Sequence, residues 1–213
     1  MFIALFGPPG AGKGTQAAFL CDELGVPHIA TGDIFRKNLK EGTPLGELAR
    51  SYMNKGQLVP DEVVWDLVAD RLAQPDAAGG VLFDGFPRSV RQAELFVGWL
   101  EEHDKKLECV AALIVPDEKL VARLSGRRTC LSGGHTYHVV HNAPRVEGVC
   151  DVCGGDVVQR EDDTEKTVRA RLATYHRETA PVLDFFKERG LVSEVDGTGT
   201  IESVTQRLRL ALG

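Results

Sequence analysis

The chain predicts a doubly wound α/β fold: a parallel five-stranded sheet flanked by helices, with a small β insertion. Three observations predict it. Short, almost uninterrupted apolar runs alternate with longer amphipathic stretches. A glycine-rich segment ending in lysine follows the first apolar run and leads into a helical pattern. A glycine- and valine-containing stretch at 129–160 then breaks the alternation.

Phe2–Phe6 reads as a buried strand, because parallel strands covered on both faces show little polar alternation. Lys13–Leu24 is the first helix and His28–Ala30 a weaker strand. Helical patterns cover 34–54, broken at Gly42-Thr43-Pro44, and 62–72. Thr31-Gly32-Asp33 reads as the N-cap of the first of these. A strand at 81–83 ends in Asp84, and a helix over 89–102 follows. The strand at 110–115 and the helix at 118–127 precede the insertion, in which Thr136 to Val140 and Val157-Val158 have strand character. A helical stretch at 164–187 contains Pro181, which lacks an N–H and clashes with the preceding turn. A kink or new start near Thr179 is therefore expected, with Thr179 as cap. A strand at 191–195 and a helix at 201–210 complete the pattern. The domains read as a core of 1–128 and 161–213, holding a flap at 30–60, with 129–160 inserted.

Composition narrows the function. The 213 residues are 43% hydrophobic and 26% charged, values that exclude wholesale disorder and fibrous repeats. Lys+Arg is 25 against Asp+Glu 31, a net charge of −6, which argues against nucleic acid as the partner. No apolar run reaches the about 18–20 residues that span a bilayer, so no membrane partner is expected. The apolar start breaks at Gly7 and has no basic leader, so a cytoplasmic protein is expected. Five cysteines fit no disulfide framework. Three of them (Cys130, Cys150 and Cys153) share one short stretch, which suggests a metal; Cys21 and Cys109 read as core.

Gly7-Pro8-Pro9-Gly10-Ala11-Gly12-Lys13-Gly14-Thr15 is a phosphate-binding loop, and the fold is therefore P-loop NTPase-like. Backbone N–H groups of Gly10 to Thr15 can curl around an anion at a helix N-terminus, with Lys13 reaching the β- and γ-phosphates of ATP. The strict pattern has Ser or Thr after the lysine. Here that residue is Gly14, so Thr15 supplies the hydroxyl near Mg²⁺. Asp84-Gly85-Phe86-Pro87-Arg88 lies at a strand's carboxyl end, where open α/β sheets bind ligands, and Asp84 can hold water on Mg²⁺. Arg36 lies about one turn inside its helix, so Thr31 and Arg36 can face the same cleft. Arginines flank the insertion on both sides: Arg123, Arg127 and Arg128 before it, Arg160, Arg169 and Arg171 after it. Arginine forks bind phosphate bidentately, and phosphoryl transfer depends on such charge stabilisation. Arg169 reads equally well as a solvated helix residue.

Together these motifs, in this order and over essentially the whole chain, resemble the adenylate kinase family in its long form with an inserted lid. The matching residues include Thr31-Gly32-Asp33 with Arg36, the Asp84 to Arg88 block with Gln92, Gly126-Arg127-Arg128, Tyr137-His138, Arg160 to Asp163, and Arg169-Ala170-Arg171. The resemblance implies that Gly10, Ala11, Gly12, Lys13, Gly14 and Thr15 cradle the ATP phosphates. Arg123 packs on the adenine, Arg127 binds phosphate, Thr136 and Tyr137 lie near the ribose, and Gly199 offers a carbonyl to the adenine. Thr31, Gln57, Leu58, Val59, Gly85, Phe86, Pro87 and Gln92 line the AMP pocket, with Arg36 and Arg88 on its phosphate. Arg160 and Arg171 bridge the transferring group. Asp162 and Asp163 support the closed state or cap the next helix. The reaction implied is Mg²⁺-dependent, reversible transfer from ATP to AMP giving two ADP, by a monomer whose lid and flap close to exclude water.

Zinc-lid members of the family carry two C-x-x-C pairs. Here Gly133 stands where the second ligand is expected, and His135 is the best replacement, with His138 another candidate. Cys130, His135, Cys150 and Cys153 would then hold a structural Zn²⁺. Two other readings are open at this point: a kinase for a different nucleoside monophosphate or with GTP as donor, and a non-catalytic nucleotide-sensing module.

Overall fold

The computed structural model describes residues 1–213. Five parallel strands form one sheet in the order β2-β3-β1-β4-β8: β1 (Phe2–Phe6), β2 (His28–Ala30), β3 (Val81–Asp84), β4 (Leu107–Ile114) and β8 (Val192–Asp196). Every residue of β1 is buried, as a central strand covered on both faces requires. One core cluster centres on Phe83, Phe86 and Phe96, with ring centroids 4.9–5.6 Å apart. A second packs Leu5, Leu82, Ala111 and Leu113 on the opposite face against α1 (Lys13–Leu24) and α9 (Ile201–Leu212).

The chain runs from β1 to the sheet edge at β2, returns to β3, and then crosses to β4. The loops after β1 and β3 therefore leave neighbouring strands at their carboxyl ends, with Leu5 in register with Asp84. A crevice at this position is where such sheets bind ligands.

Helices α2 (Thr31–Lys40), α3 (Pro44–Met53) and α4 (Asp61–Leu72) lie between β2 and β3. The break at Gly42-Thr43-Pro44 holds, with the Thr43 side chain capping α3 and Pro44 opening it. The N-cap reading of Thr31 does not. Helix α2 begins at Thr31 itself, Ala30 precedes it, and the Thr31 hydroxyl donates to Gly85 O at 2.9 Å instead. Helix α5 (Val90–Glu102) is capped by Ser89. Helix α6 (Asp117–Ser125) ends before Arg127, which belongs to a strand rather than to the helix expected at 118–127.

The insertion forms a separate antiparallel sheet of β5 (Arg127–Cys130), β6 (Thr136–His138) and β7 (Val157–Val158), in the order β6-β5-β7. After it, α7 (Glu165–Thr174) is capped by the Thr164 side chain. The stretch then widens into a π turn, Tyr175–Thr179, before α8 (Pro181–Lys187). The π turn absorbs the proline: Ala180 N donates five residues back to Tyr175 O at 2.8 Å, and Pro181 sits where no N–H is needed. Thr179 is therefore not a cap; its hydroxyl donates to Arg88 O at 2.8 Å. Cys109 is buried as expected, whereas Cys21 is only half-buried.

Phe83 is fully buried between two aromatic rings, so Phe83→Ala is expected to lower the unfolding free energy by about 3–5 kcal/mol in urea denaturation followed by circular dichroism.

Candidate active site

The loop between β1 and α1 turns through left-handed backbone at Gly10 (φ 83°) and Gly12 (φ 97°), conformations that disfavour a side chain. Lys13 folds back over it, donating to Gly7 O at 2.8 Å and Pro8 O at 3.1 Å. Burial pushes the Lys13 ammonium down to about 8; Asp84 opposes this, while Arg88, Arg171 and Arg127 add to it. Gly14 lies across from Asp84: a β-carbon there would sit 3.2 Å from Asp84 Oδ2. That proximity explains why Gly occupies the position where the strict loop pattern has a hydroxyl residue. Thr15 is exposed at the start of α1.

Asp84 ends β3 with its side chain 16% exposed. Burial works to raise its carboxyl. His28, whose Nε2 lies 3.7 Å from Oδ2, outweighs this together with Lys13 and Arg88, so the group stays below the usual range.

A second cluster forms around the loop after β3. Thr31 and the Arg88 side chain meet at Gly85 O, with Arg88 Nε donating at 2.6 Å. Gln92, almost fully buried, accepts from Arg88 N and donates to Asp61 Oδ1, each at 2.8 Å. Arg36 pairs with Asp33 in the same helix. Leu58 is half-buried and Gln57 exposed. The side chains of Val59 and Phe86 are in the core, and Pro87 is buried. Only the backbone of these residues is free to face a ligand.

Two of the arginines flanking the insertion, Arg127 and Arg171, are tied down by two aspartates. Asp163 is fully buried and accepts from Arg127 Nε and Nη2, both at 2.7 Å, and from Arg171 Nη1 at 3.1 Å. Arg171 also reaches Asp162 Oδ2 at 3.0 Å. Arg160 Nε donates to Thr129 Oγ1 at 2.9 Å. Arg169 pairs with Glu165 on an exposed face, and Arg128 donates to the carbonyls of Ser125 and Arg127. Burial pushes Arg88 and Arg160 down to about 10, and neighbouring guanidinium groups add to the effect. Three contacts cross the cleft rim: Lys40 Nζ donates to Leu131 O at 3.3 Å, Asn54 Nδ2 to Glu161 Oε2 at 3.0 Å, and Arg50 Nη2 to Glu161 Oε1 at 3.4 Å.

A cleft of about 560 Å³ opens between α6 and the small sheet, lined by Lys119, Arg123, Gly126, His138, Val139 and His141. His138 stacks on His141, and its Nε2 is buried without a partner. Arg123 is where the sequence reading puts an aromatic base. Lys119, Val139 and His141 were not foreseen. Thr136 is exposed on β6, while Gly199 lies in the loop after β8.

Cys130, His135, Cys150 and Cys153 bring one ligand atom each within 4.8 Å of the others. Cys130 Sγ to Cys153 Sγ is 3.4 Å, and His135 Nδ1 is 3.2 Å from Cys150 Sγ. Tetrahedral zinc with N and S ligands sets separations of about 3.4–3.8 Å, so the set fits that ion. A β-carbon on Gly133 would lie 2.3 Å from the His135 ring. The imidazole thus fills the space that a ligand at 133 would occupy. The Tyr137 phenol points here rather than toward a ribose: it lies 3.3 Å from Cys150 Sγ and accepts from Asp151 N at 2.8 Å.

A family model described as Adenylate kinase matches residues 5–191. A protein of Streptomyces avermitilis named Adenylate kinase is 53% identical over 213 residues, all of this chain and 97% of that protein. Proteins of the same name from Clostridium kluyveri and Methanocella arvoryzae are 50% and 51% identical, each match covering all of this chain and 98% of its own.

Because burial lowers the Lys13 ammonium to about 8, its contribution to the affinity for tripolyphosphate is expected to fall as pH rises through that value, by at most about tenfold per unit. Well below it the ammonium is charged, and Lys13 contributes no further pH dependence. Calorimetric titration checks this, and Lys13→Met is expected to remove the inflection.

Proposed function

Since the chain belongs to the adenylate kinase family, whose members interconvert ATP plus AMP with two ADP, we propose that it performs this transfer as a Mg²⁺-dependent monomer. The observation that carries the detailed reading is the convergence of Lys13, Arg88, Arg127 and Arg171 around one crevice, with Asp163 pinning two of them. Anionic substrate on both sides of the crevice accounts for this gathering of cations. The chain supplies both halves of the crevice itself.

Gly10 to Thr15 hold the ATP phosphates, and Arg123 covers the adenine at the α6 cleft, where Gly199 adds a carbonyl. Thr136 and Tyr137 approach the ribose through their backbone. Thr31, Gln57, Leu58, Val59, Gly85 and Gln92 receive AMP, and Arg36 and Arg88 hold its phosphate. An oxygen of that phosphate forms a bond to the γ-phosphorus as the bond to the ADP oxygen breaks in line. Arg127, Arg160 and Arg171 offset charge on the equatorial oxygens. No proton need move, because the attacking oxygen is already ionised.

Asp84, an oxygen donor beside Lys13 and Gly14, suits a hydrated Mg²⁺, and Thr15 stands one residue from that contact. When bound with ATP, Mg²⁺ neutralises phosphate charge. Thr31, Arg36 and the segment 30–60 form the flap, and 129–160 the lid; their closure excludes water, the competing acceptor. Cys130, His135, Cys150 and Cys153 hold Zn²⁺ in a purely structural role, because four protein ligands leave no open position.

The test is product analysis of ATP·Mg with AMP, UMP, CMP or GMP in parallel. Rapid ADP formation with AMP alone is expected; rapid transfer to a different monophosphate overturns the pocket assignment, and ATP binding without transfer overturns the reaction. Arg88→Ala is expected to lower kcat/KM for AMP at least about 10²-fold while leaving the melting temperature nearly unchanged. Protein purified without chelator is expected to contain one zinc per chain, and His135→Ala to lose it with a lower melting temperature. Metal analysis with no zinc contradicts that assignment.

A further inference from the structure

We propose that His28 is a positioning residue for Asp84: its Nε2–H steadies Oδ2, the oxygen that faces Gly14 of the phosphate loop, and so fixes the angle of the carboxylate that receives the hydrated Mg²⁺ accompanying ATP. The proposal rests on the Mg²⁺ reading above and adds a residue that no motif contains.

His28 opens the edge strand β2, in register with Leu82, two residues before Asp84. With a side-chain period of two, Leu82 and Asp84 share a face, and the His28 ring reaches along it to 3.7 Å from Oδ2. That gap exceeds a direct hydrogen bond by about half an ångström. Nε2 is shielded from solvent and has no other partner, which is unfavourable for a buried polar atom. An apolar residue on the same strand would avoid that cost. A donor buried with one carboxylate in view is poised to close on it.

No other side chain does this work. Lys13 donates to Gly7 and Pro8, and Arg88 to Gly85; neither bonds the Asp84 carboxylate. Gly14 lies against the same oxygen, Oδ2, and makes no hydrogen bond to it. The orientation of Asp84 therefore depends on His28. Mg²⁺ retains several waters in strict octahedral order, so a carboxylate that receives one of them must be held at a fixed angle.

The test compares His28→Leu, which removes the donor, with His28→Gln, which restores an N–H at similar reach. Two quantities are read: the Mg²⁺ concentration for half-maximal turnover, and ATP affinity by calorimetry with Mg²⁺ and with EDTA. His28→Leu is expected to raise the half-maximal Mg²⁺ about three- to tenfold, keep kcat at saturating Mg²⁺ within about twofold, and weaken ATP binding only when Mg²⁺ is present. His28→Gln is expected to recover most of the loss. If His28→Leu is unstable, His28→Ala makes the same deletion without adding apolar bulk. An unchanged Mg²⁺ response in the donorless variant overturns the proposal, as does equal impairment of the glutamine variant or equal loss of ATP affinity in EDTA. Absence of any Mg²⁺ response in the unmodified protein would instead overturn the Mg²⁺ reading.

Discussion

The buried carboxylate of Asp163 is the constraint on which the site depends. Cations that must grip phosphate repel one another while the phosphate is absent, and burial makes that repulsion worse. Asp163 takes Arg127 through both carboxylate oxygens and Arg171 through one, with no exposure to solvent. Asp162 shares Arg171. The two arginines come from opposite ends of the insertion, from β5 and α7. One buried acid thus fixes the two chain crossings at which the small sheet joins the core and holds two guanidinium groups beside the crevice where the proposed transfer would use them. Preorganised charge of this kind needs no reorganisation when the reaction begins.

The rest of the fold serves the same requirement. Parallel strands end together, so loops after β1 and β3 arrive side by side, one with backbone donors and the other with a carboxylate. The π turn before α8 keeps a long helix running through Pro181 and delivers the Thr179 hydroxyl to the Arg88 carbonyl. The small sheet has a core of only Cys130, Tyr137, Cys150 and Val157. With so little apolar burial in this sheet, a metal held by the four-ligand cluster, as proposed, would serve a structural purpose.

The sheet was legible because its strands are short runs, three of them (β1, β3 and β8) ended by glycine or aspartate, and the phosphate loop because glycine spacing encodes backbone shape directly. Local chemistry was misread where a tertiary partner won. Thr31 and Thr179 have the residue type and position of helix caps, yet both hydroxyls go to carbonyls around Arg88 that are distant in sequence. Pro181 suggests a break, but a wider turn absorbs it. Phe86, Val59 and Tyr137 lie inside matching motifs, and their side chains nevertheless serve packing or the cysteine cluster. His135 was legible from one departure, Gly133, and the structure supplies the reason: the ring needs the space that a side chain there would fill. His28, Asp61 and Thr129 carry no local signal, since each gains its role only when strands or helices far apart in sequence meet.

The most direct test of the account is the kinetics of Asp163→Asn, in which size and packing are kept and the charge is lost. The account predicts a fall in kcat of about 10²-fold or more, with AMP affinity unchanged, because Thr31, Arg36 and Arg88 are held by other partners. Turnover within a few-fold of the unmodified protein, in a variant that folds and binds both nucleotides, would contradict it.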